Sequence, residues 1–230
     1  MNRWLRLTLL GVGPMNSPRF APAGLLLRYA GYRAAFDAGP GSEPPPGRLD
    51  AWLVTDEQWE LRSRLRRLAA THGVQVRAGD LELGAVTVRC RPVAHTSHPA
   101  HGYRIEAQGL AVVWAPEFWE FPDWAAGAHL MFAEAAAWNR PIRCHGGVGG
   151  HASVRTVGEQ AARHEVRRLV YAHIGRPTLR AIDAGAKPEV GVQRRGPRSR
   201  DRPCPGPLPF HQAHQRSCAV VVTVEAQAGA

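Results

Sequence analysis

The sequence predicts an α/β protein in which two packed β-sheets carry helices on their outer faces. Two observations lead there. Short apolar runs bounded by glycine and proline recur through residues 7–55 and again through 74–134, and each strand-rich half closes with amphipathic helical segments. Strands followed by helices, twice over, bury their apolar faces best as two stacked sheets between helical layers. A length of 230 residues with 44% hydrophobic content suffices for one such domain plus a tail, and it excludes a peptide hormone, a disulfide miniprotein or a long repeat array.

Taken in order, residues 7–11, 24–29 and 32–37 are mostly apolar and are expected as strands, separated by Gly-Pro-rich loops at 11–18 and 38–47. A fourth strand is expected at 51–55. From 60 to 72, Leu61, Leu65, Leu68 and Ala69 recur at helical spacing, with Arg62, Arg64, Arg66 and Arg67 on the other faces as a solvated run. Strands follow at 74–77, 86–92, 103–107, 110–114 and 130–134. Ser153 is placed to cap a helix whose Val154, Val157 and Ala161 share one side up to His164. A buried strand at 169–172 and a short helix at 177–184, with Pro177 near its start, complete the pattern. Beyond residue 186 the periodicity is lost among six prolines between 188 and 209. The chain therefore divides into a domain over 1–186 and a Pro/Arg-rich tail over 187–230. The tail is expected to be disordered and to add few core contacts, apart from an edge strand at 217–224.

The formal net charge is +10, but Lys187 is the only lysine, so 28 of the 29 basic residues are arginine, which points to a compositional bias. The tail carries +4 of that charge. The surface reads as solvated and basic, and nucleic acid stays a secondary candidate partner whose binding would fall steeply with salt. No apolar run approaches the roughly 20 residues that span a bilayer, so no transmembrane helix and no membrane partner are expected. Arg3 and Arg6 before an apolar 7–12 stretch resemble a signal peptide, but the stretch is short and ends at Gly13-Pro14. Cys90, Cys144, Cys204 and Cys218 form no CxxC pair. A reduced cytoplasmic protein is the expectation.

Several ionisable residues fall at predicted strand ends, where a scaffold holds side chains rigidly yet leaves them accessible: Asp37, Asp56, His95, Glu117, Glu134 and His173. Around them the runs Leu9-Leu10-Gly11-Val12-Gly13, Phe36-Asp37-Ala38-Gly39-Pro40-Gly41 and Val93-Ala94-His95-Thr96 are followed by Trp114-Ala115-Pro116-Glu117, Ala133-Glu134-Ala135, Gly150-His151-Ala152-Ser153 and Tyr171-Ala172-His173-Ile174. This succession, over about residues 6–186, resembles the metallo-β-lactamase fold, and within it the ribonuclease Z and phosphodiesterase-like branch.

The resemblance implies an αββα four-layer sandwich with a metal site on one sheet edge, holding zinc or another divalent metal that activates a water. It implies His95 and His173 as histidine ligands and Glu117 in place of a bridging aspartate. Asp37 would support the loop geometry, and Glu134 and His151 would act catalytically, in proton transfer or behind the ligands. The sequence departs from the family where an HxHxDH segment should follow the fourth strand. It reads Asp56-Glu57-Gln58-Trp59-Glu60-Leu61, and the imidazoles are missing. Asp56 and Glu60 offer oxygens that suit hard ions, so a normal pair of zinc ions is not expected. Three outcomes stay open: a single ion on His95, Glu117, His173 and Asp56; no ion; or manganese or magnesium on the carboxylates. His95, His98 and His101 give an HxxHxxH spacing as a further alternative.

The implied function is a metal-dependent hydrolase of a phosphodiester or related ester, with a small-molecule or nucleotide-like substrate. The alternative is a non-catalytic member acting as a ligand-binding or regulatory module. Two flanking features bear on the substrate. Trp114, Phe118, Trp119, Phe121 and Trp124 read either as packing or as a stacking wall. The loop 146–150 leads into the helix capped by Ser153, whose N-terminus is a candidate anion site.

Overall fold

The computed structural model describes residues 4–58, 62–95, 98–143, 150–187 and 220–224. In the first half β1 (Leu5–Gly11), β2 (Gly24–Tyr29), β3 (Tyr32–Asp37) and β4 (Ala51–Leu53) are followed by helix α1 (Arg62–Thr71) and β5 (Val76–Arg77). The second half begins with β6 (Leu81–Leu83), β7 (Val86–Val93), β8 (Ala100–Ala107), β9 (Leu110–Ala115) and β10 (Leu130–Ala135). Helix α2 (Val154–Arg163), β11 (Leu169–Ile174) and α3 (Arg176–Asp183) follow, and β12 (Val220–Val224) comes last.

The two six-stranded sheets have the orders β12-β1-β2-β3-β4-β5 and β11-β10-β9-β8-β7-β6. Each is antiparallel through its first-formed strands and parallel at β3/β4/β5 or β9/β10/β11. Parallel neighbours need a long crossover, which α2 provides between β10 and β11. Between the sheets Leu7, Leu25, Leu27 and Phe36 meet Val88, Tyr103, Ile105, Val112, Trp114 and Phe132. Outside the first sheet, Leu65 and Ala69 of α1 cover Leu26, Ala35 and Trp52. Outside the second, Val157 and Ala161 of α2 cover Val113, Ala115, Met131 and Ala133. The expected four-layer αββα sandwich is therefore the observed one.

The strands found at 5–11, 24–29, 32–37, 86–93, 110–115 and 130–135 match those expected to within two residues, and Ser153 caps α2 by accepting the Thr156 N–H at 3.1 Å. β6 was not foreseen. It is short and pairs with β7 across a tight turn in which Gly84 takes φ +62°, so it has too few alternating residues to announce itself. The edge strand expected at 217–224 is found as β12, antiparallel to β1. Residues 188–219, on which most of the expected tail disorder falls, lie outside the described residues.

The sandwich brings the carboxyl ends of β3, β4, β7, β9, β10 and β11 to one end of the molecule, where two inter-sheet bonds fix their spacing. Trp114 Nε1–H donates to Asp37 Oδ2 at 2.7 Å, and Tyr103 O–H donates to the Val54 carbonyl at 2.6 Å. Among the described residues no helix is long and apolar enough to cross a membrane.

Candidate metal centre

The centre is built outward from Glu134, on the last turn of β10 and fully buried. Its Oε2 accepts the Phe118 N–H at 3.2 Å and lies 2.8 Å from His151 Nδ1. Its Oε1 accepts the Ala136 N–H at 2.8 Å and lies 3.2 Å from His173 Nδ1. A carboxylate has about four acceptor positions, and all are taken. Burial would push this carboxyl up, but the charges and hydrogen bonds of His173 and His151 prevail and hold it below its ordinary value. Being ionised it can only accept, so each imidazole presents Nδ1–H to it and keeps Nε2 as its remaining donor atom. A carboxylate behind an imidazole in this way fixes the ring and its tautomer for a metal.

Each ring is aimed by its backbone. His173 sits at φ +56°, in the left-handed region, where β11 slips register against β10 between Ala133 and Ala135. Such a bulge re-aims a side chain, and a non-glycine residue held there stores strain of about 1–3 kcal/mol that the surrounding packing must sustain. His151 is locked by a pair of 2.9 Å backbone bonds with Ile142. Its ring centroid lies 5.2 Å from that of His173.

Glu117, two residues beyond β9, completes the group. One ligand atom each from Glu117, His151 and His173 lie within 4.8 Å of one another. Burial opposes the Glu117 charge, but His173, the His95 hydrogen bond and His151 outweigh it and hold the carboxyl at about 2. Burial likewise opposes a charged His173, but Glu134 and Glu117 raise it to about 9. Two imidazoles and one carboxylate are the donor set of several catalytic zinc sites, which leave a fourth position open. The residues present thus fit a single divalent ion.

The remaining sequence candidates stand beside this group. His95 Nε2 lies 3.1 Å from Glu117 Oε1, and that hydrogen bond raises the His95 imidazole. Asp56 does not reach the group directly. Its Oδ2 lies 2.6 Å from His98 Nε2, and its Oδ1 accepts the Gln58 N–H at 2.7 Å. Asp37, Thr55, Asp56, Glu117 and His173 line one cavity of about 60 Å³, together with Gly13 and Met15, enough for an ion and a few waters. Glu60, Leu61 and the glycine loop 146–149 lie outside the described residues.

Of the two readings of the flanking aromatics the structure shows packing, and the expectation for the α2 N-terminus is corrected. Trp114 and Phe118 are fully buried, and Phe121 and Trp124 pack against the core beneath α2 with Trp124 Nε1–H bonded to the Pro92 carbonyl at 2.9 Å. These aromatics are packing rather than a stacking wall. The α2 N-terminus is no anion site, because the N–H groups of Val154, Arg155 and Thr156 already donate to Ala137, Trp138 and Ser153. The group His95, His98 and His101 is not the one that converges among the described residues. His151, expected to act in proton transfer or behind the ligands, has its Nε2 3.9 Å from Glu117 Oε1, within the convergent group. The only signal for that was the succession of Glu134, His151 and His173 along the second half of the chain.

No protein-family model and no curated protein sequence matches the chain. Solved structures do. The metallo-β-lactamase fold protein YhfI from Bacillus subtilis superposes with a TM-score of 0.58 at 15% identity, over 78% of this chain and 91% of that one.

The chain has the metallo-β-lactamase fold.

A diphosphatase of the PhnP family (TM-score 0.54, 17% identity, 74% of this chain and 86% of that one) and the short form of human tRNase Z (0.53, 14%, 74% and 93%) share it. In this metallo-β-lactamase fold chain the convergent residues lie at the carboxyl ends of the strands, with the parallel strands of both sheets contributing.

Proposed function

We propose that the protein is a metal-dependent hydrolase of a phosphodiester or related ester, working on a small or nucleotide-like substrate with one divalent ion, zinc by donor set, on Glu117, His151 and His173. The observation that carries the reading is Glu134: one buried carboxylate grips the Nδ1 atoms of two histidines, which leaves both Nε2 atoms for an ion. That the PhnP-family diphosphatase and tRNase Z have the same fold supports the substrate class.

A bound ion would polarise the ester and supply a water of lowered pKa. The protein's own part is binding and positioning. Glu117, ionised throughout the neutral range, would hold the ion with one carboxylate oxygen and accepts a hydrogen bond from His95. Glu134 holds four donors, so it carries no proton and acts as a positioning residue. Asp37 tethers the wall opposite by accepting Thr55 N–H, Thr55 Oγ–H and Trp114 Nε1–H.

The alternative, a non-catalytic binding module, draws on the absence of histidine between Asp56 and Leu61. Elemental analysis and turnover of a chromogenic phosphodiester separate the two. His173→Ala should remove both bound metal and turnover, while His164→Ala, paired with Asp123 away from the centre, should change neither. Protein loaded in turn with zinc, manganese and iron that holds no ion and cleaves no ester in a broad panel would refute the hydrolase.

A further inference from the structure

Three arginines stand side by side across the first sheet. Arg6 of β1 is in register with Arg28 of β2, and Arg28 with Arg33 of β3. Leu5, Leu7, Leu27 and Ala34 turn into the core between the sheets, so the alternation of a strand sends all three arginines to the outer face. Like charges directly opposite one another destabilise a sheet. Burial, then Arg33 and Arg6, depress the Arg28 guanidinium below its ordinary value.

No carboxylate offsets this row. The arginine ion pairs among the described residues belong to Arg19, Arg89, Arg104 and Arg155. Asp50 accepts the Arg33 backbone N–H at 2.8 Å rather than its guanidinium, which donates to the uncharged carbonyls of Pro45, Pro46 and Arg48. Arg28 Nε is buried without a partner. The tail carries +4 of its own and cannot neutralise the face.

Two further features share it. Trp4, 46% exposed, lies on the Arg6 side of β1, with the buried Leu5 between them. Helix α1, packed on Leu26 and Ala35 of the same face, adds exposed Arg64, Arg66 and Arg67 and no carboxylate. The row is remote from the metal centre, since Arg33 and Asp37 are four residues apart on β3, about 13 Å by the rise of a strand.

We propose that this outer face binds single-stranded nucleic acid, with Arg6 and Arg28 on backbone phosphates, Arg33 adding charge within the row, and Trp4 stacking on a base. Arginine offers phosphate oxygens a planar fork of donors, and an exposed indole accepts an unpaired base of any sequence. A duplex keeps its bases stacked on each other and leaves Trp4 without a partner. The inference stands apart from the hydrolase reading, because none of these residues lines the metal cavity.

The test is salt-dependent binding. A fluorescein-labelled oligouridine of about 12 nucleotides is titrated with the full chain by anisotropy, with and without chelator. Salt is varied from about 50 to 200 mM, and each phosphate contact contributes about 0.7 to the slope of log K against log salt. Arg6→Gln should lower that slope by about 0.7, and Arg6→Gln/Arg28→Gln by about 1.4. Trp4→Ala should weaken binding roughly ten-fold with the slope unchanged, and Trp4→Phe should recover most of the loss. Arg6 and Trp4 are exposed, so their single substitutions leave the core intact. Arg163→Gln, on α2 outside the second sheet, removes the same charge and should alter neither affinity nor slope. Failure to bind at the lowest salt overturns the proposal, as does an equal effect of Arg163→Gln, or a duplex bound as tightly as the single strand. Binding abolished by chelator would move the strand to the metal centre. Phosphatidylserine vesicles bound through Trp4 and Arg6 in place of the oligonucleotide would assign the face to a membrane surface. Either result overturns the proposal, whereas a protein without metal or turnover that still binds the strand as described upholds it and refutes the hydrolase alone.

Discussion

Glu134 shows how much a single buried residue can determine. Four donors converge on its two oxygens. Glu134→Gln keeps the volume but turns an amide NH2 toward two of those donors, so one imidazole must rotate away. The variant should fold with lowered stability, since each broken buried bond costs about 1–3 kcal/mol. It should bind zinc roughly 10–100-fold more weakly in a competition titration with a chromophoric chelator; unaltered affinity would mean that the grip on the two rings does not orient them. Asp37 offers a second readout. Burial raises its carboxyl to about 6, against the hydrogen bonds from Thr55 and Trp114. A folded value above the unfolded one means the native state binds the extra proton. The stabilisation is complete below about pH 4 and is lost as pH rises through about 6, an effect on the order of 3 kcal/mol. In chelator-treated protein, denaturant midpoints should therefore fall between pH 4 and 6 in wild type, and the fall should be absent in Asp37→Asn. Midpoints that fall equally in both would place the titration elsewhere. Asp37, Glu117, Glu134 and His173 were legible because each lies at or within two residues of the carboxyl end of a strand; the pairing of Asp56 with His98 was not, since it depends on how a turn between β7 and β8 lies across β4.

Among the elements, the junction of β10 with β11 and α3 decides where His173 points. Gly175 follows the bulge as the N-cap of α3, and its N–H donates to the Ala135 carbonyl at 3.2 Å. A Cβ there would come within 2.8 Å of Ala136 Cα and closer still to its carbonyl oxygen. Gly175→Ala must push β11 from β10 or rotate the turn, at about 1–3 kcal/mol by analogy with other overpacked sites. The movement passes to His173, two residues before. We expect a lower melting temperature together with weaker zinc binding, whereas the same change at Gly109, where nothing lies within 4 Å, should leave zinc binding intact. Strong periodicity made most elements readable, such as the Val154, Val157 and Ala161 stripe of α2. The bulge was invisible, because Leu169-Val170-Tyr171-Ala172-His173-Ile174 reads as a plain apolar strand and the left-handed turn at His173 is imposed by its partner β10.

At the scale of the whole molecule, the order of elements revealed two sheets with outer helices, but their joining depends on contacts that span the chain. The longest of these closes the first sheet: Leu5–Leu9 of β1 pair with Val224–Val220 of β12, so a segment from the tail forms an outer edge of the sandwich. A tail read only by composition, with its prolines and arginines, offers little to bury, but five residues of Val and Thr have strand preference and find an open edge. We propose that residues up to 186 nevertheless carry the fold, with β12 as an addition to it, because the core between the sheets is assembled from β1–β4 and β6–β11. Truncation after Ala186 should then leave a folded protein with zinc binding unchanged. It should lower the melting temperature by several degrees, through loss of one edge ladder, and it should raise the tendency to self-associate, since β1 would expose unpaired N–H and C=O groups. Circular dichroism melts and light scattering on the two chains read both effects. A truncated chain that fails to fold would make the tail integral to the domain, and one that melts and scatters like the full chain would show that β12 contributes nothing to the sheet in solution.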